Sequence, residues 1–168
     1  MYNEKIKVLI LFLTITFGIT TVKGQDNSWV EINGVKWATS NVGANTPEDY
    51  GGYYTWEEAQ SVCPSGWHLP NQSELQSLVN ASRAGEWTRK NGVNGRLFGI
   101  APNQVFLPAA GIRSHRDSTF YFVGSGGYYW SNMPLESDYA YNMDFYANYV
   151  STGDAIRSRG LSVRCVKE

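Results

Sequence analysis

Cys63 and Cys165 are the only two cysteines in the 168-residue chain, and they stand 102 positions apart. Joined, they would fasten the last segment of the chain to its first third. Closing so long a loop is worth about 4 to 5 kcal/mol in the chain-entropy model. Whether they join depends on the compartment, because disulfides persist where the surroundings are oxidising. The amino terminus speaks to that. A basic stretch ends at Lys7, Val8 to about Val22 is apolar, and Lys23-Gly24-Gln25 offers a small residue at the break, which is the pattern of a secretory leader. The apolar run is short for a span of about 20 residues, and Thr14, Thr16, Gly18, Thr20 and Thr21 dilute it, so cleavage near Gly24 is expected rather than a membrane anchor. The expectation is an exported bacterial protein, secreted, periplasmic or held at the cell surface, with residues 1–24 as signal, no membrane span after cleavage, and one disulfide.

Residues 25–168 are one domain's worth of chain, enough to bury about 70% of its unfolded surface around one core. Without Glu4, Lys5, Lys7 and Lys23, 11 basic and 14 acidic residues remain, so there is no basic footprint for nucleic acid. Charged residues make up 17% of the sequence, aromatics reach 14%, and there are 17 glycines, which describes a turn-rich, aromatic-packed globule rather than a disordered chain.

The domain opens with Trp29-Val30-Glu31-Ile32-Asn33-Gly34-Val35-Lys36-Trp37, two alternating runs joined by Asn-Gly, the pair that suits a type I′ hairpin turn. Residues 39–52 read as a loop. Thr55-Trp56-Glu57-Glu58 predicts a capping box and a short helix up to Cys63, stopped by Pro64-Ser65-Gly66. Asn71-Gln72-Ser73-Glu74 predicts a second box, with Leu75, Leu78 and Val79 turned inward. Arg83 to Asn94 reads as polar and turn-rich. Beyond it, Leu97–Ile100, Val105–Ala110, Thr119–Val123, Tyr128–Ser131, Tyr139–Phe145 and Leu161–Val166 are strand candidates. This order predicts an α+β fold. Trp29, Trp37, Trp56, Trp67 and Trp130 are assigned to the core or its edge.

Several blocks carry a resemblance. Tyr54-Thr55-Trp56-Glu57-Glu58-Ala59 running into Cys63-Pro64-Ser65-Gly66-Trp67-His68-Leu69-Pro70, then Leu107-Pro108-Ala109-Ala110-Gly111, Gly127-Tyr128-Tyr129-Trp130-Ser131 and Gly160-Leu161-Ser162-Val163-Arg164-Cys165-Val166 resemble the Fibrobacter succinogenes major paralogous domain. The resemblance covers about Trp29 to Glu168. It implies a C-type lectin-like fold, with two short helices packed on small antiparallel sheets and a disulfide from the first helix to the last strand. It transfers a fold and an exported setting more than an activity.

Catalytic groups are sparse. His68 and His115 have no metal-ligand spacing, and their residue types fit packing and a turn. The formylglycine-generating enzymes, which share the architecture, use a reactive cysteine pair, whereas Cys63 and Cys165 are placed like structural partners. The chain has no Gly-x-Ser-x-Gly elbow, no phosphate-binding loop and no His-Glu-x-x-His motif. Asp138, Asp144 and Asp154 lack the spacing of a calcium loop. The reading is a noncatalytic module without metal or cofactor; the alternatives are an enzyme related to the formylglycine-generating group and a structural surface module without a discrete ligand.

The last third suggests what is bound. Of the 32 positions from Tyr128 to Arg159, 16 are Tyr, Ser, Asn or Asp, six of them Tyr, and none is Lys. Tyr supplies broad contact area with few rotors, while Ser and Asn adapt their hydrogen bonds, as in antibody recognition loops. If Tyr141, Met143 and Phe145 face the core, Asn142, Asp144 and Tyr146 face out. The candidate contacts for a protein or glycan ligand are Tyr129, Asn132, Glu136, Asp138, Tyr139, Asn142, Asp144, Tyr146, Asn148 and Tyr149. Arg157 and Arg159 are expected to solvate the turn before Leu161. The segment also resembles the variable region of bacterial target proteins diversified by retroelements.

Overall fold

The computed structural model describes residues 28–82 and 86–168. The expected leader at residues 1–24 lies outside them. Strands β1 (Trp29–Ile32) and β2 (Val35–Ala38) form the expected hairpin, with Asn33 and Gly34 at φ of 51° and 79°. The last strand, β12 (Val166–Lys167), pairs with β2, and β3 (Trp67–His68) pairs with β12, so both ends of the domain share one antiparallel sheet. Helix α1 (Trp56–Ala59) and helix α2 (Gln72–Ala81) both begin with complete capping boxes, Thr55 with Glu58 and Asn71 with Glu74. Helix α1 stops at Ala59, with Gln60 as its C-cap, instead of reaching Cys63; Cys63 itself, as the residue before Pro64, is pushed away from helical backbone.

The strand-rich half adds three antiparallel units. One joins β4 (Trp87–Lys90), β5 (Val93–Ile100) and β6 (Asn103–Pro108); the polar stretch from Arg83 to Asn94 thus hides a strand and a second Asn-Gly hairpin turn, Asn91-Gly92, at φ of 48° and 85°. A small hairpin joins β7 (Ile112–Arg113) to β8 (Phe120–Tyr121). The third unit orders β9 (Gly127–Pro134), β10 (Tyr139–Tyr146) and β11 (Tyr149–Ile156) with β10 in the middle. Strand β11 escapes the sequence pattern because Ser151, Thr152, Gly153 and Asp154 give it little apolar alternation.

This last sheet divides two cores. On one face Tyr129, Met143 and Phe145 pack with Leu75 and Leu78 of α2, Phe98, Leu107 and Trp37. On the other, Tyr128, Trp130, Ala140 and Ala155 pack with Ala59, Leu69, Ile112, Leu161 and Val163. Trp37 and Trp130 are fully buried, and Trp29, Trp56 and Trp67 lie at the edge, as expected of them.

Leu161 to Cys165, expected as a strand, is an extended thread bonded alternately to both sides. Tyr54 N and Val42 N donate to Leu161 O and Val163 O at 2.9 and 3.0 Å; Trp130 N donates to Ser162 O at 3.1 Å and Ala38 N to Cys165 O at 3.0 Å. Its Arg164 is 1% exposed. The guanidinium donates to Asn41 Oδ1 at 2.9 Å, Ala38 O at 2.9 Å and Phe106 O at 3.1 Å, all neutral partners. Desolvation pushes its pKa down to about 10, still far above neutrality, so the buried group is charged. Asn41 in turn donates to Tyr50 O at 2.9 Å and to the Tyr129 hydroxyl at 3.3 Å, and that hydroxyl donates to Pro108 O at 2.8 Å. The Cys63–Cys165 disulfide is formed next to this network, with Cα atoms 5.9 Å apart.

Two outcomes follow in equilibrium urea unfolding. Replacing both cysteines by Ser is expected to remove about 4 to 5 kcal/mol, the chain-entropy value for a loop of this length. Arg164→Met keeps the bulk but strands three buried acceptors, and is expected to cost at least about 3 kcal/mol, with Arg164→Lys failing to restore it because an ammonium cannot span the same fork of acceptors.

Candidate functional site

The ten expected contact residues do not form one surface. Glu136, Asp138 and Tyr139 are exposed at the turn joining β9 to β10, with Asn132 half-buried beside them. Asp144 and Tyr146 are half-buried near the opposite end of β10, and Asn148 and Tyr149 are exposed at the next turn. From Tyr139 to Tyr146 the strand rises about 23 Å at its usual pitch. Two clusters therefore occupy opposite ends of one sheet.

Two of the ten are inside. Tyr129 is 1% exposed and belongs to the Arg164 network, and Asn142 is 2% exposed. The alternation that placed Met143 and Phe145 inward is right, but its complement does not hold at Asn142. Both faces of the sheet are covered there, and β9 and β10 slip register between Ala140 and Asn142. Only toward Asp144, Tyr146 and Tyr149 does the second face open.

The first cluster is tied down by Arg157. Its guanidinium lies 4.4 Å from the Trp56 ring centroid and donates to Tyr139 O at 3.0 Å and Glu136 O at 2.7 Å. Arg157 is thus a strut for the turn rather than a solvating charge. His68 bonds Glu74 at 3.0 Å at the start of α2, in keeping with a packing role, and His115 is exposed in the β7–β8 turn.

The second cluster is larger than the sequence suggested. Phe120, Tyr121, Phe122 and Val123 are 51%, 49%, 49% and 43% exposed in succession. The Phe122 ring stands 6.0 Å from that of Tyr128 and 6.1 Å from that of Tyr146, which is 6.4 Å from Tyr149. The Tyr128 and Tyr146 hydroxyls are hydrogen-bonded to each other, and burial first, then that bond, holds the Tyr128 pKa far above its ordinary value. Phe122 sits at φ 61°, and its carbonyl accepts from Ser125 N at 3.0 Å and Gly126 N at 2.9 Å. Beside these rings a cleft of about 330 Å³ is lined by Ile112, Ser114, His115, Arg116, Tyr121, Phe122, Ile156 and Arg159. Arg159 therefore belongs to this cleft wall. Thr119–Val123 was readable as a strand, which assigns its rings to packing; four successive apolar residues without alternation, ahead of Gly-Ser-Gly-Gly, were the available sign of an exposed segment.

The chemistry on offer is aromatic contact area, two arginines and one half-buried carboxylate. Among the described residues no group of three or more His, Cys, Asp or Glu could hold a metal, and no helix is long and apolar enough to cross a membrane. Asp144 has no hydrogen-bond or ion-pair partner among the described residues, and burial raises its pKa. A carboxyl whose folded pKa is raised contributes stability below its unfolded pKa and loses it as pH rises through the folded value. Asp144→Asn is thus expected to raise the urea midpoint at pH 7, and the gain should vanish below about pH 4, where the wild-type carboxyl is protonated in both states.

No curated protein and no solved structure matches the chain. One family model does, over residues 17–167, nearly the whole sequence and every block that carried the resemblance. The chain belongs to the Fibrobacter succinogenes major domain family.

Proposed function

We propose that the chain is an exported, noncatalytic binding module on a C-type lectin-like scaffold, recognising a protein or glycan through the aromatic end of its β9–β11 sheet. The observation that carries this is the run Phe120–Val123, each residue about half exposed, continuous with Tyr146 and Tyr149. Contiguous exposed apolar surface on a small domain marks interaction sites, because it costs solubility without serving the core. Tyr and Phe are also the side chains that concentrate binding energy at interfaces. The scaffold reading is supported by two short helices on small antiparallel sheets and by the bond from the end of the α1 segment to the carboxyl-terminal thread. That bond also supports export, since it suits an oxidising compartment. It supports a noncatalytic role too, because it holds both sulfurs that thiol chemistry would need.

The test is a glycan array and a panel of surface proteins, read with the wild-type chain, a Phe122→Ser/Tyr149→Ser variant, and a Tyr139→Ala variant altered at the opposite end. A ligand captured by the wild type is expected to lose about 2 kcal/mol of affinity with the aromatic variant, as for an interface hot spot, and nothing with Tyr139→Ala. A ligand indifferent to Phe122 and Tyr149 would move the binding surface away from the aromatic end, and no ligand in either format would favour the structural-module reading.

A further inference from the structure

The cleft beside the exposed rings gathers positive charge in a chain whose net charge is −1. His115 and Arg116 come to it from the β7–β8 turn, and Arg159 from the turn that follows β11. The two walls are fastened to each other, because Arg113 N donates to Gly160 O at 2.9 Å and Gly160 N to Arg113 O at 3.0 Å. The turn that carries Arg116 is set by Ser114, whose N donates to Thr119 O at 2.8 Å and whose Oγ accepts from Arg116 N at 3.2 Å. Among the described residues neither the Arg116 nor the Arg159 guanidinium has a hydrogen bond or an ion pair. Arg157 and Arg164, by contrast, are each engaged by backbone carbonyls. The carboxylate next in sequence, Asp117, is turned to its own loop, where it accepts from Thr119 N at 3.1 Å.

We infer that this cleft receives a carboxylate-bearing sugar ring, a uronate or sialate unit of an acidic glycan. The inference rests on the proposed binding role and names its ligand class. A guanidinium presents a planar fork of donors that matches a carboxylate, and two of them without an internal partner ask for an anion from outside. The volume of about 330 Å³ is at the low end for small-molecule sites and suits a sugar-sized ring rather than a length of folded polypeptide. The surroundings decide between an acidic sugar and an acidic side chain. Ser114 and His115 put further hydrogen-bonding groups on the wall for hydroxyls, while Tyr121 and Phe122 give an apolar side against which the C–H face of a ring can lie. An aspartate or glutamate side chain would reach the arginines and leave that wall and those groups unmatched. Because the walls are bonded together before anything arrives, little ordering is left for the ligand to impose.

The experiment titrates the ¹⁵N-labelled full chain with trigalacturonate, a glucuronate-bearing hyaluronan tetrasaccharide and sialyllactose, and in parallel with galactotriose, lactose and triglutamate. Saturable shifts in the backbone signals of Arg116, Tyr121 and Arg159 are expected with at least one of the acidic glycans and with none of the other three. Arg116→Gln and Arg159→Gln are each expected to weaken that binding about tenfold, whereas Lys36→Gln, the same loss of charge in the amino-terminal sheet, leaves it unchanged. If Arg159→Gln alters the spectrum beyond the cleft, Arg116→Gln decides. Silence with all three acidic glycans, equal shifts with the neutral sugars, saturation by triglutamate in their place, or indifference to Arg116→Gln would overturn the inference. A chain that binds some other partner through Phe122 and Tyr149 but none of the acidic glycans would sink this inference and leave the binding role standing.

Discussion

The fold turns on one buried guanidinium. Arg164 sits where the carboxyl-terminal thread crosses between the 39–54 loop and β9, and it closes the gap by donating to Ala38 and Asn41 on one stretch of the chain and to Phe106 on another. A buried charge without a counterion is tolerable when every N–H it presents finds an oriented dipole, because carbonyl and amide oxygens then stand in for its lost hydration. The demand runs both ways. The loop carrying Asn41 has no regular secondary structure and is held in place by what it gives to Arg164, Tyr50 and Tyr129. The disulfide one residue on reduces the freedom of the unfolded chain; the guanidinium selects which arrangement the closed loop adopts.

A sheet covered on both faces has no free surface except where the covering layers end. For β9–β11, the α2 side is sealed by Leu75, Leu78, Met143 and Phe145, while the other side is sealed only as far as Trp130, Leu161 and Val163 reach. The candidate site lies at this boundary. Side chains there are anchored at one end by the core and open to solvent at the other, which explains how Asp144 can be both half-buried and unpaired. Stability and availability for contact are opposed at such a residue, since a partner that satisfied it inside the protein would close the site.

Local rules explain why much of the fold could be read from residues alone. Asn33-Gly34, Thr55 with Glu58, and Asn71 with Glu74 are decided within four residues, and each element formed as those rules require. Asn91-Gly92 carried the same hairpin signal but was flanked by Arg89, Lys90 and Asn94, whose polarity hid β4. What could not be read was decided at long range. Leu161–Cys165 has a strand's composition, yet its partners alternate between sides and no ladder forms. Nothing local marks Arg164 as a core residue or Asn142 as covered; each depends on elements far away in the sequence. The candidate contacts were accordingly half legible. Tyr146 and Tyr149 stand at the aromatic end as their alternation and turn suggested, whereas Phe120–Val123 became visible only with the β7–β8 hairpin in place.

The conformation of Phe122 has a consequence for how any contact forms. A phenylalanine at positive φ costs on the order of 1 kcal/mol or more, and here it is held by two amides on its carbonyl and by Gly124 N donating to Ala109 O at 2.7 Å. The unfavourable backbone is thus settled during folding, before anything arrives. An aromatic ring carried on a backbone already settled in its display position surrenders little freedom on docking, so any contact made there would start from a preorganised ridge rather than from a loop that must first find its shape.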